Sequence, residues 1–113
     1  MSDSCLFCRI VRREIPAAIV AESEHALAFR DIAPQAPVHV LVIPKAHVAS
    51  LDAAADAVQL GHVVQLAAEV ARGEGGYRVV TNIGTDGGQS VAHLHFHVLG
   101  GRALGWPPFP PRG

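Results

Sequence analysis

Residues 93–98 alternate strictly between histidine and an apolar side chain, as His93-Leu94-His95-Phe96-His97-Val98. Successive side chains of a β-strand point to opposite faces, so this pattern predicts a strand with its apolar side toward the core and three imidazoles on the other side. The imidazoles would follow one another at about 6.6–6.8 Å along the strand. Three aligned histidines are difficult to explain by packing alone, and imidazole binds metals and transfers protons. The strand is therefore also the leading candidate for a functional site.

The rest of the chain supplies further short strands and two helices. Apolar and β-branched residues between turn residues predict strands, and apolar residues at steps of three or four predict helices. We expect strands over Ile19–Glu22, Ala26–Phe29, Val38–Ile43, Tyr77–Ile83 and Leu94–Leu99, a short helix within Cys5–Glu14, and one long helix over Leu51–Arg72. The long helix would bury one stripe, formed by Leu51, Ala54, Val58, His62, Leu66 and Val70. Because strands and helices do not alternate regularly, the pattern predicts an α+β fold with an antiparallel sheet of about five strands.

Length and composition limit the classes of function. The 113 residues suit one compact domain over 1–113, with an extended, proline-rich tail over 100–113. A net charge of −1 without a strongly basic face argues against a nucleic-acid polymer as ligand. The sequence shows neither the pattern of a secretory signal nor an apolar run long enough to span a bilayer. We therefore expect a cytoplasmic protein without a membrane partner, whose Cys5 and Cys8 are reduced.

Two further features lie near the histidines. The loop Gly87-Gly88-Gln89-Ser90 directly precedes them and offers backbone N–H groups, an amide and a hydroxyl, which can form a concavity that holds an anion. The loop lacks the Gly-Lys-Ser/Thr ending of a P-loop, so it suits one phosphate better than a triphosphate with magnesium. His39, in the strand Val38–Ile43, would share the polar face with the three histidines if both strands lie in one sheet. A buried structural role for His39 remains open.

The run His93–Leu99 resembles the motif of the histidine triad (HIT) family, and the resemblance extends over nearly the whole chain. Separate stretches match the branch called histidine triad nucleotide-binding proteins (HINT), in the right order: Phe29–His39, Val42–Lys45, Gly76–Arg78, Asp86–Val91, Gly100–Arg102 and Trp106–Pro108. This resemblance implies the HIT-like fold and a purine nucleoside phosphoramidase that releases AMP or GMP. It also implies a homodimer with joined sheets, in which the segment around Trp106 reaches toward the partner's site.

The resemblance further implies a mechanism that needs no cofactor for catalysis. The middle histidine, His95, would attack the α-phosphorus with one ring nitrogen, while a backbone carbonyl holds the other, and water would hydrolyse the nucleotidyl-histidine intermediate. His39 and His97 would contact the phosphoryl oxygens, His93 would complete the triad, and Ser90 would meet the leaving atom. Asp31 would hold the ribose, and Asn82 the ribose or phosphate side. The other nucleotide contacts would be Gly88, Gln89 and Val91 at the phosphate, and Phe7, Ile10, Phe29, Ile32 and Leu41 around the purine.

Cys5 and Cys8 have the spacing of metal ligands, but a tetrahedral zinc site needs two more. Without a second cysteine pair, these would have to be histidines. The wider superfamily contains members that use the positions of His47 and His93, which would give a structural zinc that fixes the N-terminus to the sheet. Two reduced, partly buried cysteines without a metal remain the alternative.

Three other functions remain open. A dinucleoside polyphosphate hydrolase of the fragile-histidine-triad branch would use the same histidines, but the Trp-Pro-Pro tail and the Gly-Gly-Gln-Ser loop fit the phosphoramidase branch better. A nucleotide-binding or partner-binding module with incidental turnover would use the same pocket. A pure metal-binding protein could chelate through the three histidines, but would leave Asp31, Gln89 and Ser90 without a role.

Overall fold

The computed structural model describes residues 4–54 and 56–108. Within these ranges, the regular structure consists of two α-helices and five strands, together with one 3-10 turn over Leu51–Ala53. In chain order these are α1 (Leu6–Val11), β1 (Ile19–Glu22), β2 (Ala26–Arg30), β3 (Val38–Pro44), α2 (Ala57–Ala71), β4 (Tyr77–Thr81) and β5 (Phe96–Gly100). No helix in this part of the chain is both long enough and apolar enough to cross a membrane.

The five strands form one sheet in the order β1-β2-β3-β5-β4, and all neighbours are antiparallel. The predicted α+β fold, with a five-stranded antiparallel sheet, one long helix and one short N-terminal helix, is therefore confirmed. Strand β3 lies next to β5, with Leu41 opposite His97 and His39 opposite Leu99. This register makes His39 and His97 diagonal neighbours on the same face of the sheet.

Each face of the sheet has its own apolar cluster. Helix α2 covers one face, where Val63, Leu66 and Ala67 pack on strand residues that include Val42 and Val98. Helix α1 contributes to the cluster on the other face, which contains Phe7, Ile10, Leu27, Phe29, Leu41 and Ile43. Strand β3 is buried on both faces over residues 39–44, which explains why its sequence is almost continuously apolar.

The prediction of one helix over Leu51–Arg72 is wrong in its first turns. The chain forms a 3-10 turn at Leu51–Ala53 and enters α2 only after Asp56, whose carboxylate accepts hydrogen bonds from the N–H groups of Val58 and Gln59 at 3.0 Å. This N-cap fixes where the helix begins. The predicted stripe is also wrong at Val58, which is 67% exposed, and it omits Val63, Ala67 and Ala71, which are buried together with the predicted Leu66.

Strand β5 begins at Phe96, two residues later than predicted, so His93 and His95 precede the strand. The expected alternation still holds for the apolar positions, since Leu94, Phe96 and Val98 all pack in the cluster under α2. Strand β4 ends at Thr81 rather than Ile83, and β2 and β3 each gain one residue, Arg30 and Pro44. The part of the expected tail over 109–113 lies outside the described residues.

Candidate active site

The backbone of His93, two residues earlier in the sequence, holds the ring of His95. Its Nδ1 lies 2.8 Å from the main-chain carbonyl oxygen of His93. A carbonyl oxygen only accepts hydrogen bonds, so the proton of the neutral ring is on Nδ1, and Nε2 carries the free lone pair. The ring also makes edge contacts with Phe7 and His97, with 5.2 Å between centroids in each pair. The remaining nitrogen of His95 is thus in the protonation state of a nucleophile or general base.

The His95 ring is well covered, with the residue only 3% exposed. It does not lie in a purely apolar interior, because the half-buried ring of His97 lies beside it. Phe7 covers another side of the ring. Solvent and ligands are therefore expected to approach His95 past His97.

His39 and His97 form a hydrogen-bonded pair whose tautomers are fixed. The backbone N–H of Gln35 donates to His39 Nδ1 at 3.0 Å, so the proton of the neutral His39 ring is on Nε2. That Nε2 lies 2.9 Å from His97 Nδ1 and donates to it. His97 must then hold its own proton on Nε2. The pair therefore presents an N–H donor from His97, as a site for a developing oxyanion requires.

Asp31 lies at the edge of this pair, with its Oδ2 atom 3.4 Å from His39 Nε2. Its Oδ1 atom accepts the N–H of Ala33 at 2.8 Å. The ligand atoms of Asp31, His39 and His97 lie close enough to hold a metal ion. However, a metal on His39 Nε2 would need the proton on Nδ1, where it would oppose the N–H of Gln35. The hydrogen bonding therefore disfavours a metal here.

Burial lowers the pKa of His97, and positive charge on His95 or His39 would lower it further, while Asp31 opposes the shift. Burial also lowers the pKa of His93. Desolvation disfavours the charged form of an imidazole. The surroundings of His97 and His93 thus favour the neutral rings that their hydrogen bonds require.

Hydrogen bonds from the side chains of Asn82 and Gln89 stabilise the conformation of the loop before His93. Asn82 Nδ2 donates to the carbonyl oxygen of Gly87 at 2.7 Å. Gln89 Nε2 donates to the carbonyl oxygens of Ala49 and Val91 at 2.7 and 2.9 Å, while its Oε1 accepts the N–H of Gly84 at 3.1 Å. The Gln89 amide thus shapes the loop and is fully engaged. Gly88 has a positive φ, Ser90 is exposed and Val91 is half-buried.

The residues expected around a purine divide into two groups. Phe7, Ile10, Phe29 and Leu41 are all buried in the cluster on the face that carries His39 and His97. Ile32 is instead 101% exposed, and Trp106, which the resemblance assigns to the partner's site, is 83% exposed. The structure therefore buries the first group on the face that carries His39 and His97 and leaves Ile32 and Trp106 open to a ligand or a partner.

Cys5, Cys8, His47 and His93 form a four-residue cluster, as the sequence suggested. His93 Nδ1 lies 3.4 Å from Cys5 Sγ and 3.6 Å from Cys8 Sγ, and His47 Nδ1 lies 3.1 Å from Cys8 Sγ. His93 Nε2 lies 2.9 Å from the carbonyl oxygen of Pro44 and donates to it, so Nδ1 turns its lone pair toward the sulfurs. Burial raises the pKa of the Cys8 thiol, and Cys5 adds to the shift.

Two contacts that hold the histidines in place could not be predicted from the sequence. One is the backbone N–H of Gln35 on His39. The other is the hydroxyl of Thr81, which donates to the carbonyl oxygen of His95 at 2.8 Å. Both join residues from different elements, so no local spacing could reveal them.

A family model described as the HIT domain matches residues 12–104. An uncharacterized HIT-like protein from Synechococcus elongatus is 55% identical over 113 residues, covering 96% of this chain and 99% of that protein. The solved structure of a HIT family hydrolase from Legionella pneumophila has a TM-score of 0.88 at 47% identity, covering 94% of this chain and 100% of that chain. A HIT family hydrolase from Clostridium thermocellum has a TM-score of 0.88 at 43% identity, covering 93% and 96%. Because the family model spans most of the sequence, the chain belongs to the HIT family.

Proposed function

We propose that this protein is a hydrolase of the HINT branch that cleaves the phosphorus–nitrogen bond of purine nucleoside phosphoramidates and releases AMP or GMP. The observation that carries the proposal is the 2.8 Å contact between His95 Nδ1 and the His93 carbonyl oxygen, which leaves Nε2 unprotonated. The similar proteins from Legionella pneumophila and Clostridium thermocellum are named as HIT family hydrolases, which supports the hydrolase class.

The proposed reaction has two displacements at phosphorus. In the first, the lone pair of His95 Nε2 forms a bond to phosphorus, the bond to the leaving nitrogen breaks, and the amine takes one proton from the Ser90 hydroxyl, which regains a proton from solvent. In the second, water attacks phosphorus and the bond to Nε2 breaks, so that the hydroxyl group of the water stays on the nucleoside monophosphate and its other proton goes to solvent. His95 returns to its starting tautomer.

The neighbours of His95 are proposed to stabilise the charge on phosphorus. The Nε2–H of His97, fixed through His39, would donate to a phosphoryl oxygen. Ser90, exposed just before the histidines, would donate to the leaving nitrogen. The other nucleotide contacts are proposed to be Asp31 at the ribose, Asn82, Gly88, Gln89 and Val91 beside the phosphate, and Phe7, Ile10, Phe29, Ile32 and Leu41 around the base. Gln89 would act through its loop, because its amide is already engaged.

The test compares the parent protein with His95→Asn on an adenosine 5′-phosphoramidate and on a diadenosine polyphosphate. His62→Gln is the matched control, because His62 lies on α2 and stacks on His25, away from the three histidines. We expect the parent and the control to prefer the phosphoramidate, and His95→Asn to lose more than about a thousandfold in turnover, as loss of a nucleophile does elsewhere. AMP should still bind to the variant.

Three results would contradict the proposal. Undiminished turnover by His95→Asn would show that His95 is not the nucleophile. A preference of the parent protein for the diadenosine polyphosphate would indicate a dinucleoside polyphosphate hydrolase. AMP binding without turnover of either compound would indicate a nucleotide-binding module.

We also propose a structural zinc ion at Cys5, Cys8, His47 and His93. The residues fit the ion, since two sulfurs and two imidazole nitrogens form a set typical of tetrahedral structural sites. The donation from His93 Nε2 to Pro44 leaves the required nitrogen free. When bound, the ion would supply a crosslink between the N-terminal segment and the sheet, and we assign it no part in the reaction.

We further propose a homodimer joined through β4. This strand is an edge of the sheet, and Tyr77 and Val79 on it are 42% and 41% exposed. Unpaired edges with exposed apolar residues favour pairing with another chain. The exposed Trp106 would then be free to reach the partner's site. Light scattering after size exclusion should show a dimer for the parent and a monomer for Val79→Asp. The control Val20→Asp changes an equally exposed valine on the opposite edge, β1, and should remain a dimer.

A further inference from the structure

The segment that carries the proposed nucleophile lies outside the regular sheet. Strand β5 begins at Phe96, so residues 93–95 are held by individual hydrogen bonds rather than by a strand ladder. The N–H of Leu94 donates to Val48 at 2.6 Å, His95 Nδ1 donates to His93, and the hydroxyl of Thr81 donates to the carbonyl oxygen of His95 at 2.8 Å. Of these three, only the contact from Thr81 uses a side chain that can be changed without altering a histidine.

We propose that Thr81 is a positioning residue for His95. This inference rests on the proposed function, since it assigns Thr81 a role in the same reaction. Thr81 is the last residue of β4 and pairs with Phe96, the first residue of β5. By binding the carbonyl oxygen of His95, its hydroxyl fixes the peptide plane between His95 and Phe96. That plane sets the direction from which the His95 side chain leaves the backbone.

The two contacts on His95 act at opposite ends of the residue. The His93 carbonyl holds the ring at Nδ1, and Thr81 holds the main chain. Without the hydrogen bond from Thr81, the main chain at His95 is free to rotate between the contact of Leu94 and the first pair of β5, which would move Nε2 relative to the His39–His97 pair. Reaction rates depend steeply on such alignment, so a small displacement is expected to slow chemistry more than it weakens binding.

The test compares Thr81→Val, which keeps the branched shape and removes the hydroxyl, with Thr81→Ser, which keeps the hydroxyl. Both are assayed on the adenosine phosphoramidate, and Thr81→Ala is a second variant without the hydroxyl. We expect Thr81→Val and Thr81→Ala to lower kcat about two- to tenfold, the range that one hydrogen bond supplies, with KM changed by less than about twofold. Thr81→Ser should remain close to the parent.

An NMR measurement tests the role of Thr81 independently of turnover. In ¹⁵N-labelled protein, the Nδ1–H signal of His95 should move in Thr81→Val and stay near its parent position in Thr81→Ser. If the parent shows no turnover, the proposed function fails, and this signal alone decides the role of Thr81. The inference is overturned if Thr81→Val leaves kcat and the signal unchanged, if Thr81→Ser is as impaired as Thr81→Val, or if KM changes as much as kcat.

Discussion

His39 Nε2 lies 2.9 Å from His97 Nδ1, across the neighbouring strands β3 and β5. The hydrogen bond from Gln35 to His39 gives this contact a direction, with His39 as donor and His97 as acceptor. One backbone amide in the loop 31–37 therefore determines which nitrogen of His97 faces a ligand. The same contact makes the pair a poor metal chelate, although its ligand atoms are close together.

The lowered pKa of His97 predicts the pH dependence of turnover. Burial favours the neutral ring, so His97 Nδ1 should stay unprotonated and keep accepting the hydrogen bond from His39 below the usual imidazole pKa of about 6.5. We expect the ratio of turnover by the parent to turnover by His97→Gln to stay level from pH 8 down to about 6.5 and to fall only at lower pH. A ratio that begins to fall above pH 7 would contradict this assignment.

The lowered pKa of His97 also makes the free energy of unfolding depend on pH. Because the pKa is lower in the folded state, the unfolded chain binds more protons between the two pKa values, and the free energy of unfolding falls as the pH falls through that window. Above the unfolded value of about 6.5 the contribution is constant. Urea unfolding at pH 7.5 and 5.5 should therefore show a smaller pH dependence for His97→Gln than for the parent.

Gly87 is the position in the loop before the histidines that least tolerates a side chain. A Cβ built there would overlap the carbonyl oxygen of Ile83, a backbone atom that cannot turn aside. Gly87→Ala should therefore displace the loop, break the hydrogen bond from Asn82 to the Gly87 carbonyl and cost about 1–3 kcal/mol of stability. Turnover should fall with it.

Gly61 provides the matched control for this substitution. It lies within α2, and a Cβ there meets nothing within 4 Å. Gly61→Ala should stabilise the protein by about 0.5–1 kcal/mol, because alanine loses less backbone entropy in a helix. Urea unfolding and the phosphoramidate assay on both variants test the pair. Equal effects of the two substitutions on stability would show that the loop can accommodate a side chain at residue 87.

The alternation in residues 93–98 predicted the buried positions of Leu94, Phe96 and Val98, but not where the strand begins. The periodicity of apolar residues indicates which side chains face the core. The start of a strand depends instead on where a neighbouring strand supplies hydrogen bonds, and the pairing of β4 with β5 ends at Phe96. Likewise, the predicted stripe of the long helix included the exposed Val58 and omitted the buried Val63, because the N-cap at Asp56 and the position of the sheet decide which residues are buried.

The sequence predicted fewer of the contacts in the candidate site than of the elements of the fold. Spacing identified Cys5 and Cys8 as a possible ligand pair, and the family resemblance added His47 and His93, with which they form a cluster. His39 was expected near His97 only if their strands lay in one sheet, as they do. The contacts of Thr81 and Gln35 depend on strand register and loop conformation, which no short motif encodes. The burial of Phe7 and Ile10 against the sheet follows from where α1 packs, and that position is a tertiary property.

Cys8 is the residue whose loss should separate metal binding from nucleotide chemistry. Its sulfur is close to both histidines of the cluster, at 3.1 Å from His47 Nδ1 and 3.6 Å from His93 Nδ1. Cys8→Ser should lower the zinc content from about one ion per chain to nearly none after dialysis, since one ligand of a four-ligand set is lost. The melting temperature should fall as well, because the crosslink between α1 and the sheet is removed. Arg9→Ser, which changes an exposed residue in the same helix, should keep both the metal and the melting temperature. Equal zinc content in the two variants, or a parent protein purified without chelators that holds no zinc, would show that the four side chains are only packed together.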